Sequence, residues 1–188
     1  MLHLLNLEEI EALQLKVPAL VKRLEERDPD FFQVVKSWLA DIEDTLTKNR
    51  MSATSEIAVC RSALISLERG FLDGSEFKSR MGMRNLKEAR ASHLLKRATD
   101  VITEAIRSRR GQVNEADRIM MQIVAVADHL GLIPEESGHQ DHTAYLQAIF
   151  QAISNRAELT SLVVHATGLL GKADILIVLD RAIASIRQ

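Results

Sequence analysis

The chain has 188 residues, 46% apolar and 27% charged, with a formal net charge of −2 and a pI near 6.3. These are the proportions of a globular core and exclude a disordered or collagen-like chain. Its single cysteine, Cys60, excludes an intrachain disulfide and a cysteine-built zinc site. Three prolines and eight glycines leave few breakers, so the expected fold is all-α, a compact bundle of about seven to eight helices. The expected organisation is one domain over residues 1–188, with a sub-division open near the 71–83 loop.

At the start, Leu2, Leu4, Leu5 and Leu7 are apolar but lack a basic flank, and Glu8, Glu9 and Glu11 interrupt them before a signal sequence is complete. No stretch reaches the roughly 18 uninterrupted apolar residues of a membrane span. The expected setting is the reducing cytoplasm, with no membrane association.

Asn6 and Glu9 stand at N-cap and N3 spacing, followed by Ile10, Leu13, Val17, Leu20, Val21 and Leu24 at helical intervals. Pro18 then kinks a helix of about residues 7–26 or splits it near Lys16, because proline lacks the amide donor and clashes with the preceding turn. Asp28 and Pro29 suit the N-cap and first helical position of a second helix. Its stripe is Phe31, Val35, Trp38, Leu39, Ile42 and Leu46, and it ends near Lys48. Ser52 or Thr54 caps a third helix with Ile57, Cys60, Ala63, Leu64 and Leu67 inward and Gly70 as its stop. Residues 71–83, which hold two glycines and no sustained period, read as a loop.

The next stretch carries most of the positive charge. Residues 78–110 hold ten Lys or Arg against three acids, while the segments before and after are acidic. On a helix, Leu94, Leu95, Ala98, Val101, Ile102, Ala105 and Ile106 share one stripe, with His93, Lys96, Arg97, Asp100, Glu104 and Arg107 opposite. Lys87 extends the inward stripe and Arg84 lies near it, so a cation is expected at the core edge and must meet an acid, solvent or a ligand. Arg80, Arg84, Lys87 and Arg90 form the candidate anion- or partner-binding site, because four cations near a helix N-terminus add to the partial positive charge there.

Gly111 is expected to end this helix and Asn114 to cap another, with Ala116, Ile119, Met120, Ile123, Val126, Ala127 and Leu130 apolar. Gly131 and Pro134 stop it, and 134–141 reads as a loop. Tyr145, Leu146, Ile149, Phe150 and Ile153 mark a helix, and Asn155 with Glu158 a capping box for the next. The apolar run Ile175–Leu179 has no strand to pair with and reads as a buried helix.

Chemistry-bearing patterns are few. His139, Asp141 and His142 put three metal-ligand types within four residues, but without the i, i+4 histidine pair of a metalloprotease they are weak metal candidates. Gly168, Gly171 and Lys172 fail the phosphate-loop spacing, since Ala173 follows the lysine where a hydroxyl is needed. With no catalytic constellation and no cofactor motif, the reading leans away from an enzyme. The expected function is a helical interaction or regulatory protein that binds a protein partner and self-associates as a homodimer, through its leucine-rich start or its terminal helix. The alternatives are duplex-backbone binding by the basic helix 78–110 and a bundle that binds a small anion.

Overall fold

Two rules, apolar spacing of three and four and the position of chain breakers, account for most of the architecture. The computed structural model describes residues 2–69, 82–134 and 141–187, and among these it holds eight helices and no strand. The protein is all-α. Its helices are α1 (Leu4–Gln14), α2 (Val17–Glu25), α3 (Phe31–Lys48), α4 (Thr54–Glu68), α5 (Met83–His129), α6 (His142–Ser154), α7 (Ala157–Leu170) and α8 (Lys172–Ile186). The chain falls into two compact units, Leu4–Arg107 with Leu2, and Ser108–Gln188 with His3, so α5 contributes to both.

In the first unit, α3 is the central element and packs on α1, α2 and α4. Its stripe Phe31, Val35, Trp38, Leu39, Ile42 and Leu46 is buried throughout. Trp38 Nε1 donates to the Leu13 carbonyl at 2.8 Å, which satisfies one of the carbonyls left open at the end of α1. Lys36 and Gln33 reach Glu68 on α4, both at 2.7 Å, and Arg61 of α4 returns to Glu43 at 3.0 Å. Leu4 and Leu7 are buried in this unit, while Leu5 faces solvent.

Pro18 does split the first helical stretch. It lies in the opening turn of α2, where its missing amide costs nothing. The proposed start at Asn6 is corrected, because α1 already runs from Leu4 and Asn6 lies inside it. The second expected start also moves: Asp28 accepts from the Asp30 amide at 2.9 Å in the turn preceding α3, two residues ahead of a true cap. Ser52 and Thr54 do not cap α4; Ala53 stands at its N-cap, and Thr54 Oγ1 donates instead to the Met51 carbonyl at 2.7 Å. The Gly70 stop and residues 71–81 of the expected 71–83 loop lie outside the described residues, and the loop's expected end is corrected, because Met83 already belongs to α5.

The largest correction is at Gly111, which does not end a helix. Ala91, Leu95, Ala98, Ile102, Ile106, Arg109, Val113, Ala116, Met120, Ile123 and Ala127 are all buried and follow one another at intervals of three or four without a break. One face is therefore covered through Gly111, and a single helix of 47 residues results. Gly111 itself is exposed on the opposite side, so it costs helix propensity but does not interrupt the packing.

In the second unit α6, α7 and α8 pack on one another. Asp141 caps α6 by accepting from the Thr143 amide at 2.9 Å. Asn155 closes α6, and α7 starts from Arg156 with no side-chain cap, so the Asn155–Glu158 capping box does not form. Gly171, at φ +85°, turns the chain by 118° from α7 into α8, a conformation that a side chain would strain. Ile175, Val178, Leu179, Ala182 and Ile183 of α8 are buried inside the unit. Among the described residues no single helix is long and apolar enough to cross a membrane.

Candidate functional site

The four cations singled out from sequence do not stay together. Arg84 turns toward its own fold, with Nε 2.7 Å from Glu88 and Nη2 donating to the Arg27 carbonyl at 2.6 Å. Lys87 places its ammonium 5.5 Å from the centre of the Phe32 ring on α3. That aromatic face was not among the partners expected from sequence, an acid, solvent or a ligand; it holds the ammonium by a cation–π contact, and the charge also acts on Glu68. Arg90 points outward and is exposed. Arg80 lies outside the described residues.

What the helix does bring together is Arg90 with His93, Lys96 and Arg97, all exposed on the outer face of α5 over two turns. None of the four has an ion pair or side-chain hydrogen bond with a described residue. Four other cations of the same unit are paired: Lys36 with Glu68, Arg61 with Glu43, Arg84 with Glu88, Arg107 with Glu104. The signal for this face was present in the 100° phase, which set His93, Lys96 and Arg97 opposite the core stripe. Grouping cations by sequence proximity hides this face, which only the helical phase gathers.

Cys60 lies at 0% exposure in α4, and burial pushes its thiol above the ordinary range, opposed by the charges of Arg97 and Arg90. A raised thiol is a poor nucleophile, which leaves Cys60 as a small core residue.

Arg109, counted among the basic cluster, sits in the second unit's core at 7% exposure. Its Nη1 donates to the Leu169 carbonyl at 2.8 Å and its Nη2 to Asp174 Oδ2 at 2.7 Å. One guanidinium therefore serves the open carbonyls at the end of α7 and the acid in the first turn of α8, and both placements suit the helix dipoles. His3 Nδ1 is 3.6 Å from the other Asp174 oxygen. This is a corner brace.

Around the start of α6, His142 Nε2 is 3.0 Å from Asp180 Oδ1, and the Tyr145 hydroxyl donates to the Pro134 carbonyl at 2.8 Å. Arg187 adds bonds to that same carbonyl at 2.9 Å and to the tyrosine oxygen at 2.7 Å. Asp141 is occupied as the α6 cap, His142 is turned to Asp180, and His139 lies outside the described residues. Among the described residues no group of three or more His, Cys, Asp or Glu is placed to hold a metal ion.

The described residues thus define an all-α protein of two compact helical units, with an unpaired cationic face on one and side-chain braces inside the other. No family model, curated protein or solved structure matches the chain.

Proposed function

We propose that this protein is a non-enzymatic helical interaction protein that docks an acidic segment of a protein partner on the outer face of α5, at Arg90, His93, Lys96 and Arg97, and that it self-associates. The carrying observation is that four such side chains are gathered on one exposed face with none paired to a described residue, while Lys36, Arg61, Arg84 and Arg107 of the same unit meet acids. Arg90 and Arg97 are two turns apart, about 10 Å at 1.5 Å per residue. A helix or extended segment with acids at matching intervals would meet both, with Lys96 beside them. Each exposed pair is worth little alone, and the Debye length of about 10 Å at 0.1 M salt makes the whole contact salt-sensitive.

A protein partner suits this face better than duplex DNA. The cationic patch spans only two turns before Asp100 and Glu104 follow on the same face, and no aromatic residue occurs between Phe77 and Tyr145 for base stacking. The test uses fluorescence anisotropy with labelled poly-glutamate, labelled duplex DNA and inorganic phosphate as competitor, on wild type and on Arg90→Glu/Lys96→Glu/Arg97→Glu. The expected result is salt-dependent poly-glutamate binding that falls at least about tenfold in the variant while its melting temperature is retained. Tighter binding to DNA through the same residues would replace the reading with nucleic-acid binding. Competition by millimolar phosphate alone would point to a small anion, and equal binding by both proteins would end the proposal.

A further inference from the structure

Resting on the docking proposed above, we infer that the segment bound by α5 is charge-segregated, an acidic stretch with a lysine or arginine within about one turn of it on the same face. Asp100 is the residue that selects for that base, and so it sets the specificity of the face.

Arg90, His93, Lys96 and Arg97 share their stripe of α5 with Asp100 and Glu104, and all six side chains are exposed. The sign of the stripe changes between Arg97 and Asp100, about 4.5 Å apart along the axis at 1.5 Å per residue. A partner that follows residues 90–97 and continues for one more turn therefore lies over Asp100.

The two acids are placed differently within the fold. Glu104 is turned away from the patch, to Arg107 at 2.8 Å. Asp100 is within a turn of both Lys96 and Arg97, yet it makes no ion pair or side-chain hydrogen bond with either of them or with any other described residue. Its carboxylate stands at the border of the cationic patch, where a docked segment meets it.

The consequence is a choice among anionic partners. A uniformly acidic segment, or the phosphates of a duplex, gains attraction along residues 90–97 and then meets like charge at Asp100. A segment whose acids give way to a base gains at both places. One residue thus supplies the repulsive element against the first class and the attractive element for the second. The base lies at whichever end of the segment points toward the C-terminus of α5. An exposed pair shifts affinity only about two- to fivefold, so the cations supply the attraction and Asp100 sorts what they attract.

The test uses two labelled helical peptides of identical composition and net charge. Both carry glutamates over about two turns of one face. One has its lysine a turn further along that face, and the other has it on the opposite face. Fluorescence anisotropy compares them on wild type, Asp100→Asn, Asp100→Lys and Arg90→Glu/Lys96→Glu/Arg97→Glu. Asp100 is exposed, so its variants keep the fold, checked by melting temperature. The expected result is a preference of about two- to fivefold for the same-face peptide in wild type. Asp100→Asn binds the two peptides alike, and Asp100→Lys reverses the preference. A change in the protein's overall charge moves both affinities together and cannot produce that reversal. Equal binding of the two peptides by wild type, or a preference that survives Asp100→Asn, overturns the role of Asp100 and leaves docking on α5 standing. Binding of neither peptide, or binding unchanged in the triple variant, overturns the docking and the selection together.

Discussion

Arg109 illustrates how one side chain can be misplaced by its neighbours in sequence. It stands between Arg107 and Arg110, both exposed, yet occupies a core position of α5 and reaches Asp174. Its Nε is buried without a hydrogen-bond partner among the described residues, so the guanidinium is incompletely compensated for its lost water. Removing one charge of such a pair strands the other. Arg109→Met is therefore expected to cost about 3–5 kcal/mol in urea unfolding, and Arg109→Met/Asp174→Leu to regain at least half of it, because paired apolar side chains escape the desolvation cost. A double variant no better than the single one would refute this account of the corner. Cys60 gives a second residue-scale expectation. Native protein should label with a thiol reagent at least about 100-fold more slowly than unfolded chain, since reaction requires opening of α4. Its folded pKa is raised, so the stability that its neutral thiol contributes is present below the ordinary thiol value and lost as pH rises through the raised folded one. Cys60→Ala should flatten stability on that alkaline side, as followed by melting temperature against pH.

At the scale of elements, the termini carry the testable content. α2 and α3 end in left-handed residues, Arg27 at φ 53° and Arg50 at φ 52°, with six-residue closing bonds Asp28 N to Arg23 O at 2.9 Å and Met51 N to Leu46 O at 3.0 Å. Gly131 ends α5 the same way, through Leu132 N to Ala127 O at 2.9 Å. This closing turn favours glycine, and arginine adopts it only under strain. Arg50→Gly is expected to stabilise the protein by about 0.5–1 kcal/mol, read from denaturant unfolding. Inside α5 the sign of the rule reverses. Gly111 has helical backbone and nothing within 4 Å of an added Cβ, so Gly111→Ala should also stabilise, by about 0.5–1 kcal/mol, through helix propensity alone. Loss of stability in Gly111→Ala would mean that α5 bends or opens there.

For the whole molecule, the balance of charge sets the response to acid. Hydrogen bonds from Lys36 and Gln33 hold the Glu68 carboxyl below its ordinary range, and Arg118 does the same for Glu115. A carboxylate lowered in the folded state stabilises above its unfolded value and loses that contribution as pH falls through the folded one. Stability should therefore decline as pH falls from the ordinary glutamate value through the lowered folded ones. Both groups are at the surface and each contribution is small, so Glu68→Gln/Glu115→Gln should lower the melting temperature slightly at pH 7 and make no difference near pH 3. A gap that persists at low pH would assign their role to packing.

The sequence by itself determined the all-α class, the burial of the α3 stripe, a break or kink at Pro18, and α8 as a helix instead of a strand. Each follows from local spacing or backbone chemistry that no tertiary partner needs to supply. It also placed Lys87 on the inner edge of α5 and required a partner for it. Only the tertiary structure decided that the partner was Phe32 and that Arg84 turned to the Arg27 carbonyl, because those contacts join residues far apart in the chain. The same is true of α5. Local reading gives a glycine and a row of cations and stops the helix at Gly111, whereas packing covers the face on both sides of it. Arg109 hid that continuity, since a cation becomes a core residue only where distant groups, here Asp174 and the end of α7, satisfy its charge.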